Sequence, residues 1–158
     1  MKYLLILSCL LFTSVGWSKD VSMDDLVERE GLYYEKFTDV PYTGNVVGQF
    51  QLKIIKGKRE GEYLIFYESG QLSGKGNFID GKEEGESFIY YESGELKNKA
   101  NWIDGKLEGE ALRYYKDGQI LEKRNYKDGK KDGEQLTYNE NGKLEKTEIY
   151  KDGKLIEP

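Results

Sequence analysis

From Gly57 to Asp80 the chain reads GKREGEYLIFYESGQLSGKGNFID, and a 24-residue variation on it returns three times without insertion or deletion. The copies are GKEEGESFIYYESGELKNKANWID from Gly81, GKLEGEALRYYKDGQILEKRNYKD from Gly105 and GKKDGEQLTYNENGKLEKTEIYKD from Gly129, and a truncated GKLIEP begins at Gly153. A fixed period of this length marks a stacked array in which one unit cannot bury its apolar face alone and its neighbours complete it.

Two dipeptides per unit are turn signals. Ser69-Gly70, Ser93-Gly94, Asp117-Gly118 and Asn141-Gly142 sit mid-unit, and Asp80-Gly81, Asp104-Gly105, Asp128-Gly129 and Asp152-Gly153 join the units. Both sets suit two-residue hairpin turns with φ > 0, which makes Gly57, Gly70, Gly81, Gly94, Gly105, Gly118, Gly129, Gly142 and Gly153 structural turn residues. Each unit is then two antiparallel strands, Glu60 to Tyr67 and Leu72 to Ile79 in the first copy. The predicted fold is all-β: a single-layer antiparallel meander of tandem hairpins, four units advancing roughly 40 Å at about 10 Å per hairpin.

Counting outward from two-residue turns sets a register. Tyr67 falls opposite Leu72, Ile65 opposite Gly74 and Gly61 opposite Phe78, with Gly85–Trp102, Gly109–Tyr126 and Gly133–Tyr150 as copies of the last pair. That pairing suggests that the second glycine column leaves room for an aromatic ring over the backbone. Across the Asp-Gly turns the same count puts Lys75 opposite Glu86, Lys99 opposite Glu110 and Lys123 opposite Glu134. One face carries Ile65, Tyr67, Leu72 and Phe78 with their copies; the other carries Leu64, Phe66 and the Lys and Glu residues. The less polar face is the one expected to curl inward or be met by a partner, giving Tyr67, Tyr91, Tyr115, Phe78, Trp102, Tyr126 and Tyr150 as the candidate binding surface.

The ends depart from the frame. Met1-Lys2 followed by the apolar run Leu4 to Val15 has the length of a signal-peptide core, with cleavage expected after Ser18 or, as a second choice, after Gly16. An uncleaved anchor is the rival reading, against which the run is short of the ~20 residues needed to span a bilayer, and no transmembrane span is expected after removal. Cys9 lies within it; the apolar residues continue past this cysteine, unlike a lipidated one. Residues 19–56 read as an atypical capping unit, with strands at Val27-Glu28, Leu32 to Tyr34 and Tyr42 to Phe50 and a turn at Glu30-Gly31. A short helix over Met23 to Arg29, capped by Ser22 with Asp25, is the alternative. Residues 57–152 are the four repeats and residues 153–158 a partial fifth, leaving a last strand near Leu144 to Lys151 with a charged edge.

Composition limits the chemistry. Of 158 residues none is histidine, and loss of the signal would remove Cys9 and Lys2, leaving 23 basic against 29 acidic residues, a formal charge of −6. No disulfide framework, thiol nucleophile or histidine base is then available, and no metal or other cofactor is expected. The acidic balance without basic clusters argues against nucleic acid and anionic lipid. The column Glu62, Glu86, Glu110 and Glu134 is expected to face solvent or pair with lysine, and a flat repetitive sheet should offer no pocket in which paired carboxylates could act as acid and base.

The pattern G-K-x-x-G-E-x-x-x-Y-Y-x-x-G-x-L, then an aromatic and x-D-G-K, resembles the bacterial variant of the MORN repeat, found in proteins often labelled YwqK-family antitoxin components. Gly31 to Tyr34 and Val40 to Gly44 are similar to the start of such proteins. The resemblance covers about residues 31 to 158 and implies a hairpin-repeat sheet that binds or scaffolds. The function expected is therefore that of an exported, non-catalytic protein-binding or self-associating module in the periplasm or outside the cell. Carbohydrate or cell-wall binding on Trp102, Tyr90, Tyr91, Tyr114 and Tyr115 is the alternative, as is an antitoxin-like role in a toxin-antitoxin pair.

Overall fold

The computed structural model describes residues 20–157. The expected signal segment, its Ser18 cleavage point and Cys9 lie outside the described residues. The N-terminal part runs β1 (Val21–Ser22), a single 3-10 turn (Met23–Asp25), β2 (Leu26–Arg29), β3 (Leu32–Glu35), β4 (Gly44–Val47) and β5 (Phe50–Ile55). The first unit is β6 (Lys58–Phe66) and β7 (Leu72–Ile79). The second is β8 (Lys82–Glu83), β9 (Gly85–Tyr90) and β10 (Leu96–Ile103), the third β11 (Lys106–Leu107), β12 (Gly109–Tyr114) and β13 (Ile120–Lys127). The fourth is β14 (Lys130–Tyr138) and β15 (Leu144–Lys151), and β16 (Lys154–Glu157) closes the series.

From β4 onward the strands follow one another as an antiparallel meander, with β8 and β11 as short starts of interrupted strands. Two features break the simple meander expected from the sequence. β1 lies parallel to β4, with Val21 beside Val46, and β2–β3 forms a separate two-stranded sheet. The Ser22–Asp25 capping box exists as anticipated, yet it holds one 3-10 turn and the chain returns to strand at Leu26. The final hairpin also extends further than expected: Lys154–Glu157 pairs with β15 and is itself a strand.

The N-terminal segment packs as a cap. Tyr33 N–H donates to the Gly57 carbonyl, Gly57 N–H to that of Tyr42, and Tyr42 N–H to that of Tyr33. The approach at Gly57 is so close that a Cβ there would stand 2.9 Å from Leu32 Cβ, and φ is +81°, so only glycine serves. Around this clip lies the buried core: Val21, Leu26, Tyr33, Tyr42, Val46, Leu52 and Ile54, joined by Tyr63 and Phe78 of the first unit. Beyond Phe78, Gln135 is the only buried side chain among the described residues.

The Asp-Gly turns are two-residue turns with both φ positive, +51° at Asp80 and +86° at Gly81, and Ile79 faces Lys82. The mid-unit turns are not. Gly70 N–H donates to the Tyr67 carbonyl and Tyr67 N–H to that of Gln71, a loop of Glu68, Ser69 and Gly70 with the left-handed conformation confined to glycine. A bulge at Ser73 absorbs the extra residue, so Ile65 faces Gly74 as expected while Leu72 faces Phe66, not Tyr67. Leu72, Leu96, Ile120 and Leu144 thereby move to the Phe66 face.

A second irregularity follows each of the three Asp-Gly turns that join complete units. Phe78 faces Glu83, but three residues back Lys75 faces Phe88, two residues beyond the count. The displacement is taken up at Glu84-Gly85, where Gly85 has φ +78° and open space where its Cβ would be. Gly61 and Gly109 show the same, so this column is glycine for its backbone conformation and not to admit a ring. The pairs Gly61–Phe78, Gly85–Trp102, Gly109–Tyr126 and Gly133–Tyr150 are present nonetheless. Because the offset is even, Lys75, Lys99 and Lys123 keep their expected face but meet different partners. Lys99 pairs with Glu86 at 2.5 Å and Lys123 with Glu110 at 3.3 Å, within their own units, and Lys75 lies over the Phe88 ring.

Candidate functional site

The side chains that recur from unit to unit are occupied in joining units. At one edge Lys58, Lys82 and Lys106 pair with Asp80, Asp104 and Asp128 of the following turn. Glu60, Glu84, Glu108 and Asp132 accept from the N–H groups of Asp80, Asp104, Asp128 and Asp152. At the other edge Tyr67, Tyr91 and Tyr115 donate their hydroxyls to the carbonyls of Tyr90, Tyr114 and Tyr138. Of the candidate surface, these three tyrosines are therefore tied into the scaffold by their polar ends. Phe78 is 6% exposed within the cap core, and Lys131 lies over Tyr150. Only Trp102 and Tyr126 of that set come together, in a groove.

The groove runs over the second and third units and has a volume of about 460 Å³. It exists because one column changes size. Tyr63 in the first unit lies over Gly76, where a Cβ would be 2.7 Å from its ring, and packs on Phe78 with ring centroids 4.9 Å apart. In the fourth unit Gln135 is 5% exposed, its Nε2 donating to the carbonyls of Asn125 and Gly133. Between these two plugs the same column holds Ser87 and Ala111, and both line the groove with Ala100, Ile89 and Leu107. Ser87 fixes one wall by accepting a 2.8 Å hydrogen bond from Trp102 Nε1.

Residues 59–80, 83–104, 107–128 and 131–157 match the MORN repeat variant, more than half of the chain. The chain belongs to the MORN repeat variant family. No curated protein matches it. Among solved structures, a chain in the crystal structure of a GtfA/B complex bound to UDP and GlcNAc aligns with 14% identity and a TM-score of 0.24. The alignment covers 87% of this chain and 28% of that one, a likeness too slight to carry an argument.

Within MORN units two and three the polar lining is asymmetric. Glu122 is the carboxylate of the groove, 2.8 Å from Arg124 and 3.7 Å from Arg113. Burial disfavours the charge of Arg124, but Glu122 and the Tyr126 hydroxyl more than offset it, and the guanidinium is held firmly ionised. The expectation of a sheet without a pocket is corrected by this groove, although it brings together no second carboxylate to share acid and base roles with Glu122. Arg113, Arg124, Glu122, Asn98 and Ala111 are invisible to a repeat pattern, because each stands in a column that does not repeat. The usable signal was the opposite one: on this face, positions that vary from unit to unit mark where the array departs from mere scaffold.

Proposed function

We propose that this MORN-variant array is an exported, non-catalytic binding module that holds a protein partner in the groove of its second and third units. MORN repeats point to a binding or scaffolding role in general. The observation carrying the finer reading is that the recurrent Lys–Asp pairs and the Tyr67, Tyr91 and Tyr115 hydroxyls are committed to joining units, whereas the groove is lined mostly by residues of columns that differ between units. Export rests on the charged start and apolar run of residues 1–18.

The test is photo-crosslinking in the native host. A crosslinking residue at Ile89, which lines the groove, should yield a discrete adduct that Ala111→Trp abolishes by filling the space. One at Phe66, on the other face, should not. Adducts of equal yield from both positions, or none from Ile89, would reject the reading. N-terminal sequencing of the mature protein should begin at Lys19; recovery of the chain with an intact Met1 in the cytoplasmic fraction would remove the export claim and reopen an antitoxin-like role inside the cell. Carbohydrate binding is a second reading because Trp102 lines the groove, and failure of purified wall polymer to sediment the protein would end it.

A further inference from the structure

We infer that the groove of the second and third MORN units selects a partner segment carrying a carboxylate beside an apolar side chain. This rests on the groove being the binding face, as proposed above. Lys97, Arg113 and Arg124 line the groove against the single carboxylate of Glu122, in a chain of net charge −5. Lys99 also borders it, but its ammonium is turned to Glu86, and that of Lys97 lies over the Tyr91 ring, which leaves the two arginines as the cations directed into the groove. Glu122 is 17% exposed and held against Arg124, whereas the Arg113 side chain is 46% exposed and stands 3.7 Å away, beyond hydrogen-bonding distance. Arg113 thus has guanidinium donors to give, in the planar geometry that carboxylates match.

The array does not need these cations. Arg113 occupies the column of Ile65, Ile89 and Thr137; Arg124 that of Gly76, Ala100 and Glu148; Lys97 that of Ser73, Leu121 and Glu145. Four units fold on one plan, and the cations converge at one place only. Asn98 Oδ1 is a buried acceptor lining the groove without a hydrogen-bond partner. Such an atom is costly to leave unmet, and a turn of the Asn98 side chain toward the groove would present it to a peptide N–H. The apolar part of the lining, Ile89, Ala100, Leu107 and Ala111, accepts an aliphatic side chain next to the carboxylate.

A peptide fits better than an acidic sugar. Trp102 spends its indole N–H on Ser87, and Ile89, Ala100, Leu107 and Ala111 beside it give a sugar hydroxyl no partner.

The experiment is selection of a random-peptide library on the whole secreted chain, wild type beside the double variant Arg113→Gln/Arg124→Gln and the variant Glu122→Gln. Circular dichroism and urea melts first establish that each variant is folded. Wild type should enrich peptides with Asp or Glu adjacent to an apolar residue several-fold over the library. The double variant should lose that enrichment and bind the selected peptides about ten-fold more weakly. Glu122→Gln, which removes the internal competitor, should bind them more tightly, and added salt should weaken all of these interactions. Selection of peptides without acidic enrichment, blocked by Ala111→Trp, would overturn the carboxylate inference and leave the groove reading standing. Selection unaffected by Ala111→Trp, or no selection at all, would overturn both. Polygalacturonate binding that is lost in the double variant, with no acidic peptide selected, would transfer the site to a sugar acid and overturn the inference.

Discussion

The phenolic hydroxyl of Tyr91 donates a hydrogen bond to the main-chain carbonyl of Tyr114, 2.7 Å away and 23 residues further along the chain. The same bond runs from Tyr67 to Tyr90 and from Tyr115 to Tyr138, so each unit grips the turn end of the next. In the fourth unit Asn139 takes the place of tyrosine and its side chain accepts from Asn141 and Lys143 N–H groups. With little core beyond Phe78, stability there is expected to depend on such nearest-neighbour bonds. Tyr91→Phe should cost about 0.5–1.5 kcal/mol. Urea titration checks this, and an unchanged midpoint would mean that the hydroxyl contributes nothing.

Two glycines should respond to alanine for different reasons. At Gly85 a Cβ meets no neighbour, so Gly85→Ala should cost ~1–2 kcal/mol through the left-handed backbone alone, with Asn better tolerated than Ala. At Gly76 the new Cβ would meet the Tyr63 ring at 2.7 Å. The second unit already holds the compensated pair, Ala100 with Ser87. Gly76→Ala should therefore destabilise by about 1–3 kcal/mol on its own and show strong coupling to Tyr63→Ser in a double-mutant cycle. Additive effects of the two changes would disprove the contact.

The edge ladder should make the protein acid-sensitive. The hydrogen bond from Lys82, with its charge, holds the Asp104 carboxyl below its usual range, and the Asp152 N–H, then Lys151, do the same for Asp132. A carboxyl depressed in the folded state binds fewer protons there than in the unfolded chain. Its contribution is present above the ordinary carboxylate pKa and disappears as pH falls through the lowered folded value. Urea midpoints measured over a series of acidic pH values should decline, and Asp104→Asn should flatten that slope. An identical slope in the variant would exclude the ladder as its origin.

Alkali acts on the cap instead. Burial, and next the hydrogen bond to Glu83, raise the Tyr63 phenol well above its ordinary value of 10.0, and burial raises Tyr33 and Tyr42 as well. Once the pH passes the ordinary value the unfolded chain has released protons that the folded chain retains, so stability should fall as pH climbs. Ultraviolet difference titration should find tyrosines that ionise only with unfolding, and Tyr63→Phe should reduce the alkaline loss of stability. Full ionisation of every tyrosine while the fold persists would refute it.

Local rules carried the sequence reading a long way. Asp-Gly turns, alternating side chains and a constant period placed β7 at Leu72–Ile79 and β15 at Leu144–Lys151, and even the glycine–aromatic pairs came out by counting. The count failed where an extra residue was absorbed silently. Ser73 is accommodated by a bulge whose only cost is a displaced Leu72, and Gly85 resembles a packing glycine until its φ is known.

The sequence by itself determined the hairpin array, because turn chemistry and the two-residue alternation of strands act between residues close along the chain. The tertiary structure alone decided where that array is hollow. The groove depends on side-chain volumes summed across neighbouring strands, Tyr63 filling over Gly76 while Ala111 and Ala100 leave space, and on charges brought together from β12 and β13. Such sums depend on register, and the bulges that set the register leave little trace in the spacing of the repeats.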